Sequence, residues 1–235
     1  MNYAIIAAGE GSRLVSEGVP VPKPLVSLDG RPMIKRLIDI FVGLNAETIS
    51  VIVNEQMTQV REYLESIAPE LPCSLNLVIK STPSSMHSFM EVSRIFPNGS
   101  KFILTTVDTV FRPEDFEKYV RFFENADSAV DGLMGVTTYI EDEKPLYVDV
   151  RENHITAFCD APFEGVKYIS AGIYGLTTPA LDVLRRCIDE GVSRMRNYQR
   201  ELVASGMNLL AFDLGKVLDI DHVGDIERAK QFLNV

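Results

Sequence analysis

Apolar positions along the chain follow two rhythms. Near the start, Tyr3–Ala8 is an unbroken apolar run closed by glycine, the form of a strand buried on both faces. From Pro32 the spacing lengthens: Ile34, Leu37, Ile38 and Phe41 recur at helical intervals, with Pro32 at the start where its missing N–H costs nothing. The alternation then repeats. "ISVIVN" (Ile49–Asn54) is a second buried strand and "MTQVREYLESIA" a helix. "LNLVIK" (Leu75–Lys80) is a third strand, followed after a Ser/Pro-rich loop by "SFMEVSRIF" as a helix. "KFILTTVD" (Lys101–Asp108) is a fourth, reached through the turn "PNGS". "RPEDFEKYVRFFENA" opens on Pro113 with acidic residues in its first turn, a helix start. Strand and helix alternating four times predict an α/β fold: a mostly parallel central sheet with helices on both faces.

After Asp131 the rhythm shortens. "GLMGVTTYI", "LYVDVREN" and "HITAFCD" read as strands with little helix between them, a small mixed or antiparallel extension in the second half. "YISAGIYGL" is another strand, and "ALDVLRRCIDEG" and "RNYQRELVASG" are helices that end at Gly191 and Gly206. "NLLAFDLG" and "VLDID" are late strands, and "VGDIERAKQFLNV" is a closing helix. No repeat, low-complexity segment or linker interrupts the pattern, so residues 1–235 are expected to form a single domain with halves 1–130 and 131–235.

Composition narrows the class. The chain is long enough for a sizeable core, and its net charge of -10 excludes a generic nucleic-acid surface, which needs concentrated Lys and Arg. Cys73, Cys159 and Cys187 are far apart and suggest neither a disulfide framework nor a thiolate zinc site. The start lacks a basic n-region, and no apolar run reaches the roughly 18 residues of a membrane span. A reduced, cytoplasmic protein is the expectation.

In a mostly parallel sheet, ligands sit beyond the carboxyl ends of the strands. Two candidates fall there: Asp108, and the loop "AAGEGSRL" after the first strand. Glycine lets backbone approach a ligand, and successive N–H groups make an anion nest. Neither common phosphate fingerprint is present; Leu14 stands where a dinucleotide fingerprint needs its third glycine. The bare G-x-G also fits a plain tight turn. Arg13 and Lys23 add a planar guanidinium and a mobile point charge, both suited to phosphate.

"AAGEGSRL" followed by "PKPLVSLDGRPMI" resembles the signature of nucleotidyltransferases that activate sugar 1-phosphates and related phosphorylated alcohols. The resemblance implies a Rossmann-like αβα fold of the GT-A type, with 1–130 the nucleotide-binding half and 131–235 the acceptor-binding half. It implies an NTP and a phosphorylated small acceptor as partners, and Mg²⁺ (or Mn²⁺) as cofactor. Ala7, Ala8, Gly9, Gly11 and Ser12 would wrap the phosphates, Arg13 would hold the departing β/γ-phosphates, and Lys23 would sit at the α- or acceptor phosphate. Asp108 matches the first metal ligand; a strand-end cap is its plain alternative. "VLDIDHVGDIERAKQFL" resembles the family's closing pattern, placing Asp219 or Asp221 as second ligand and Asp225 as a cap. Two residues apart on a strand, Asp219 and Asp221 would face one side.

Ser84 and Ser85 stand where relatives carry Gly-Thr against the nucleobase, although serines there also serve as helix caps, and His87 reads as a polar helix-start residue. For the acceptor, relatives place E-K-P where this chain has "FCDAP", so Asp160 replaces the glutamate and Ala161 the lysine. Lys167 could supply the missing charge, Gly172 could let the acceptor approach, and Arg194, Arg196 and Arg200 could clamp it; solvated surface charge is the plain alternative. His154 and His222 read as surface or structural.

The lost E-K-P lysine leans the acceptor toward a small alcohol, amine or atypical sugar, with CTP the first nucleotide to test and cell-envelope polysaccharide the implied destination. A nucleotide-sugar-dependent glycosyltransferase is the rival enzyme, but Val110 stands where its D-x-D would place the second aspartate. A non-catalytic nucleotide-binding relative is the third reading.

Overall fold

The computed structural model describes residues 1–96, 99–140 and 144–234. In chain order, β1 (Asn2–Ala7), α1 (Ser12–Ser16), α2 (Met33–Gly43), β2 (Thr48–Val53), α3 (Thr58–Ile67), β3 (Ser74–Ile79), α4 (Ser85–Ser93), β4 (Phe102–Thr106) and α5 (Pro113–Asn125) make the first half. The second half holds β5 (Gly132–Thr137), β6 (Tyr147–Arg151), β7 (His154–Cys159), β8 (Tyr168–Leu176), α6 (Thr178–Asp189), α7 (Met195–Ala204), β9 (Leu209–Asp213) and α8 (Val223–Leu233). The fold is α/β, as the alternating pattern predicts.

Every residue of β1 is buried, because both of its faces are covered. Tyr3, Ile5 and Ala7 enter one core with Phe41 of α2, Val60 of α3 and Phe116 of α5. Ala4 and Ile6 enter the opposite core with Phe89 of α4, Leu184 of α6 and Tyr198 of α7. The period-two alternation of a strand thus distributes one short segment between two helix layers.

Among the described residues the main sheet runs β3-β2-β1-β4-β8-β5-β9-β7-β6. β1, β2, β3 and β4 are mutually parallel, as predicted. The antiparallel component is placed differently from the expectation. It is not confined to an extension, because β8 lies inside the sheet, antiparallel to both β4 and β5, while β9 runs parallel to β5. β8 is buried at both faces over most of its length, so a central position suits it, but local sequence does not encode its direction. β7 pairs antiparallel with β9 and β6, and β6 also reaches the start of β8.

Helix α4 begins three residues before the predicted "SFMEVSRIF", because Met86, Phe89 and Val92 set its buried face. The stretch read as an opening loop also contains the short helix α1. Part of the predicted turn at 97–100, and the last residue of the predicted closing helix, lie outside the described residues.

Two small pairings stand apart from the main sheet. Ser27–Leu28 pairs with Arg31–Pro32, and Leu218–Asp219 pairs antiparallel with Thr109–Val110 just past the end of β4. Beneath them Leu14, Val26, Val110, Leu218, Ile220 and Phe232 form a third, smaller core joining the opening loop to α8. Among the described residues no helix is long and apolar enough to cross a membrane.

Candidate active site

β1 delivers the opening loop to the carboxyl end of the sheet. Gly11 ends that loop at φ +62°, the left-handed region, and Val15 donates its backbone N–H back to the Gly11 carbonyl to start α1. Pro22 leads into a single 3₁₀ turn, Lys23–Leu25, closed by the N–H of Leu25 on the Pro22 carbonyl. The turn drives the Lys23 side chain inward, leaving it 9% exposed.

Asp108 lies two residues beyond β4, and Val107 donates to the Ile6 carbonyl so that this segment continues alongside β1. The N–H of Ile220 donates to the Asp108 carbonyl at 3.2 Å, which brings the late segment across the site mouth. The result is a charge cluster drawn from three distant parts of the chain. Lys23 Nζ donates to Asp108 Oδ2 at 2.5 Å and to Asp221 Oδ1 at 2.9 Å. Arg13 Nη1 donates to the other Asp221 oxygen at 2.7 Å.

Burial acts first on Lys23, disfavouring its charge. The opposing charges and hydrogen bonds of Asp108 and Asp221 outweigh it and hold the ammonium's pKa above its ordinary value. Lys23 is therefore a permanent cation at neutral pH, and an ammonium has three donors, of which the two carboxylates take two. Nearby, burial first and then the charge of Asp219 push the Tyr174 phenol upward, so it stays neutral.

The cluster stands between two cavities. The larger, about 580 Å³, is lined by Ala8, Gly9, Gly11, Ser12, Arg13 and Lys23 on one side and by Ser84, Ser85, Asp108 and Asp221 on the other. A Cβ on Gly9 would meet nothing within 4 Å, so this backbone faces open space. Ala7 instead packs in the core, with Ile6 lining the cavity in its place. The smaller cavity, about 200 Å³, is lined by Asp219, Ser170 and Ala171, and it shares Arg13 and Asp221 with the first. Asp219 and Asp221 both face it, in keeping with their two-residue spacing.

Among the described residues no three His, Cys, Asp or Glu side chains gather as a ready metal cage. Asp108 and Asp221 do converge, with the Lys23 ammonium between them. Two carboxylates beside an open cavity fit Mg²⁺, which is held through one or two carboxylates and completed by substrate phosphates and water.

The remaining predicted residues fall in different places. Ser84 is the N-cap residue of α4, and its hydroxyl lies 2.9 Å from His87 Nδ1 and accepts from the Arg194 backbone N–H at 3.3 Å. Arg194 itself is at φ +73° at the start of α7. Arg196 and Arg200 both engage Asp160, at 2.7 and 2.6 Å, and hydrogen bonds from Arg200 and then Arg196 lower its carboxyl pKa. Lys167 is exposed and lines neither cavity. Gly172, at φ +71°, has a reason other than a ligand: a Cβ there would stand 2.8 Å from the Thr109 hydroxyl and 3.1 Å from that of Thr106. Asp225 is a cap, as predicted, accepting from the N–H groups of Asp221 and His222.

Sequence reasoning missed two features. Asn54 lines the larger cavity, and its place at the carboxyl end of a parallel strand was an available signal. Glu17 accepts from the N–H of Val223 at 2.7 Å and lies 2.5 Å from His222 Nδ1, tying the opening loop to the start of α8. No local pattern announces a contact spanning 206 residues.

A glycine loop, two cations and two carboxylates thus meet at the carboxyl end of the parallel strands. The chain belongs to the MobA-like NTP transferase family, whose domain profile matches residues 3–151. It is 35% identical over 104 residues to the 2-aminoethylphosphonate cytidylyltransferase of Lancefieldella rimae, covering 43% of this chain and 41% of that one. It is 24% identical over 234 residues to the mannose-1-phosphate guanyltransferase of Kluyveromyces lactis, covering 96% and 62%. The chain thus spans roughly two fifths to three fifths of the length of these curated relatives. In three dimensions it is similar to the inositol-1-phosphate CTP transferase from T. maritima, with a TM-score of 0.79, 21% identity and coverage of 99% and 97%. These relatives and neighbours are nucleotidyltransferases.

Proposed function

We propose that this protein transfers a nucleotidyl group from an NTP to a small phosphorylated or phosphonylated acceptor, releasing pyrophosphate. The observation that carries the reading is Lys23 held between Asp108 and Asp221, with Arg13 on the same Asp221, where the two cavities meet. The larger cavity suits the NTP, its phosphates against Gly9–Ser12 and its base toward Ser84 and Ser85. The smaller cavity suits the acceptor. Residues 1–130 thus serve chiefly the nucleotide and 131–235 chiefly the acceptor, within one domain.

Little covalent help is needed. An oxygen of the acceptor's phosphate or phosphonate, already ionised at neutral pH, forms a bond to the α-phosphorus as the bond to the pyrophosphate oxygen breaks. Lys23 spends its third N–H on the charge developing at the α-phosphate, and the Arg13 guanidinium presents its planar fork to the departing β/γ-phosphates. Asp108 and Asp221, with Asp219 on the acceptor side, would hold Mg²⁺, which neutralises phosphate charge when bound. Such placement and charge stabilisation are worth on the order of 3 kcal/mol per preorganised donor.

CTP is the nucleotide we put first. The cytidylyltransferase relative and the CTP-transferase neighbour favour it, and Ala161 in place of the sugar-phosphate lysine favours an acceptor other than an ordinary hexose 1-phosphate. We assign the reaction to the cytoplasm, on the ground that its NTP substrate is supplied there. The test is pyrophosphate release with Mg²⁺ for CTP, UTP, dTTP, ATP and GTP against 2-aminoethylphosphonate, inositol 1-phosphate, mannose 1-phosphate and phosphocholine. Release that requires one NTP and one acceptor together is expected. Absence of release from every pair, in protein whose melting temperature still rises with an NTP, would replace this reading with nucleotide binding alone.

A further inference from the structure

A third cavity, of about 590 Å³, opens beside α8 and touches neither the opening loop nor Lys23, Asp108 or Asp221. Its wall holds Arg112, Lys216 and Arg228 around the rings of Tyr139 and Phe232, with Asp115 at the edge. It adjoins the smaller active-site cavity through Tyr139 and Arg228.

The cations are held in an unusual way for a chain of net charge -10. Lys216 Nζ lies 4.1 Å from the Tyr139 ring centroid and 5.6 Å from that of Phe232. The Arg112 guanidinium lies 5.2 Å from the same Phe232 centroid. Among the described residues neither Arg112 nor Lys216 makes an ion pair with a carboxylate. Asp115 at the cavity edge is paired by Lys118 at 2.8 Å, and Asp225 pairs with Arg228 of the cavity wall, which leaves Arg112 and Lys216 as the wall cations held by rings.

A ring face fixes a cation's position without consuming its N–H donors, whereas a carboxylate would neutralise the charge and take the donors as well. Two like charges gathered on one ring repel each other, and an anion between them removes that repulsion. A guanidinium fork beside a point ammonium complements the oxygens of a phosphate group.

We propose that this cavity is a second anion site, outside the catalytic cleft, taking a phosphate-bearing small molecule between Arg112 and Lys216. The phosphate could come from free pyrophosphate or from a nucleotide, and the two sources are separable by experiment.

The protein would be titrated with inorganic pyrophosphate, and separately with CTP, by calorimetry and by NMR of the Tyr139 and Phe232 rings. Three proteins serve: the native chain, Arg112→Gln/Lys216→Met, and Arg13→Gln/Lys23→Met. The native chain is expected to bind two equivalents of the ligand that fits. The Arg112→Gln/Lys216→Met protein loses one of them, with at least a tenfold weaker association there and basal turnover retained. Arg13→Gln/Lys23→Met loses the other and keeps the ring shifts. A response to pyrophosphate alone, or to CTP alone, names the source. Unchanged stoichiometry and affinity in Arg112→Gln/Lys216→Met would overturn the proposal. Should that variant not fold, the native ring signals decide alone: no shift of Tyr139 or Phe232 at saturating pyrophosphate and at saturating CTP rejects the site.

Discussion

Gly11 lies directly against Lys23: a Cβ built on Gly11 would stand 2.8 Å from the Lys23 Cβ. The contact is with the root of the side chain, which cannot swing aside as a flexible end could. Gly11 also sits at φ +62°, where an L-residue costs roughly 1–2 kcal/mol. Gly11→Ala is therefore expected to lower the melting temperature by several degrees and to reduce kcat/KM at least tenfold as Lys23 leaves its carboxylates. Steady-state kinetics beside a thermal melt checks this, and a Gly11→Ala protein of native kcat/KM would show that Lys23 is not fixed by the loop.

Lys23→Met keeps the length of the side chain but removes its charge, and Asp108→Asn keeps the shape of the other partner. Each is expected to lower turnover by about 10²-fold, the scale of one preorganised charge at a phosphoryl-transfer centre, with the fold intact by circular dichroism. Full Mg²⁺-dependent activity in Asp108→Asn would exclude that carboxylate as a metal ligand.

The two late aspartates differ in what they touch. Asp221 meets Lys23 and Arg13 and borders both cavities, whereas Asp219 borders only the smaller one. Asp221→Asn is expected to weaken NTP binding and turnover together, and Asp219→Asn to raise the acceptor KM more than the NTP KM. Reversed effects in a two-substrate kinetic matrix would exchange their roles.

Glu17 offers a pH test. The N–H of Val223, followed by the hydrogen bond to His222, holds its carboxyl below the ordinary value near 4.5. A depressed carboxyl stabilises the folded protein above its unfolded-state pKa, and that contribution fades as pH falls through the lower folded value. Protection of the Val223 amide against hydrogen exchange should therefore persist as pH falls from neutrality through the ordinary carboxylate range, and be lost only at lower pH, once the Glu17 carboxyl takes up its proton. Glu17→Gln should show weakened protection already at neutral pH. Equal protection in both proteins throughout would leave Glu17 without a role in joining α1 to α8.

The legible part of this molecule is the part that local periodicity encodes. Tyr3, Ile5 and Ala7 face one core and Ala4 and Ile6 the other because a strand alternates, and the run of apolar residues announced both burials. Asp108 was visible because a carboxylate ending an apolar strand lies at the ligand-binding edge of a parallel sheet. The central position of β8 was not visible, since a strand's direction depends on partners far along the chain. Arg196 and Arg200 were readable as cations, but the sequence did not show that both meet Asp160. The reason for Gly172 was hidden similarly, because Thr106 and Thr109 approach it from another strand segment.

The meeting of Arg13 with Asp221 spans 208 positions, and the small core of Leu14, Val110, Leu218 and Phe232 is what keeps those distant segments together. That apolar patch acts as a clasp for the charges above it, and loosening the clasp parts Arg13 from Asp221 without any change to either side chain.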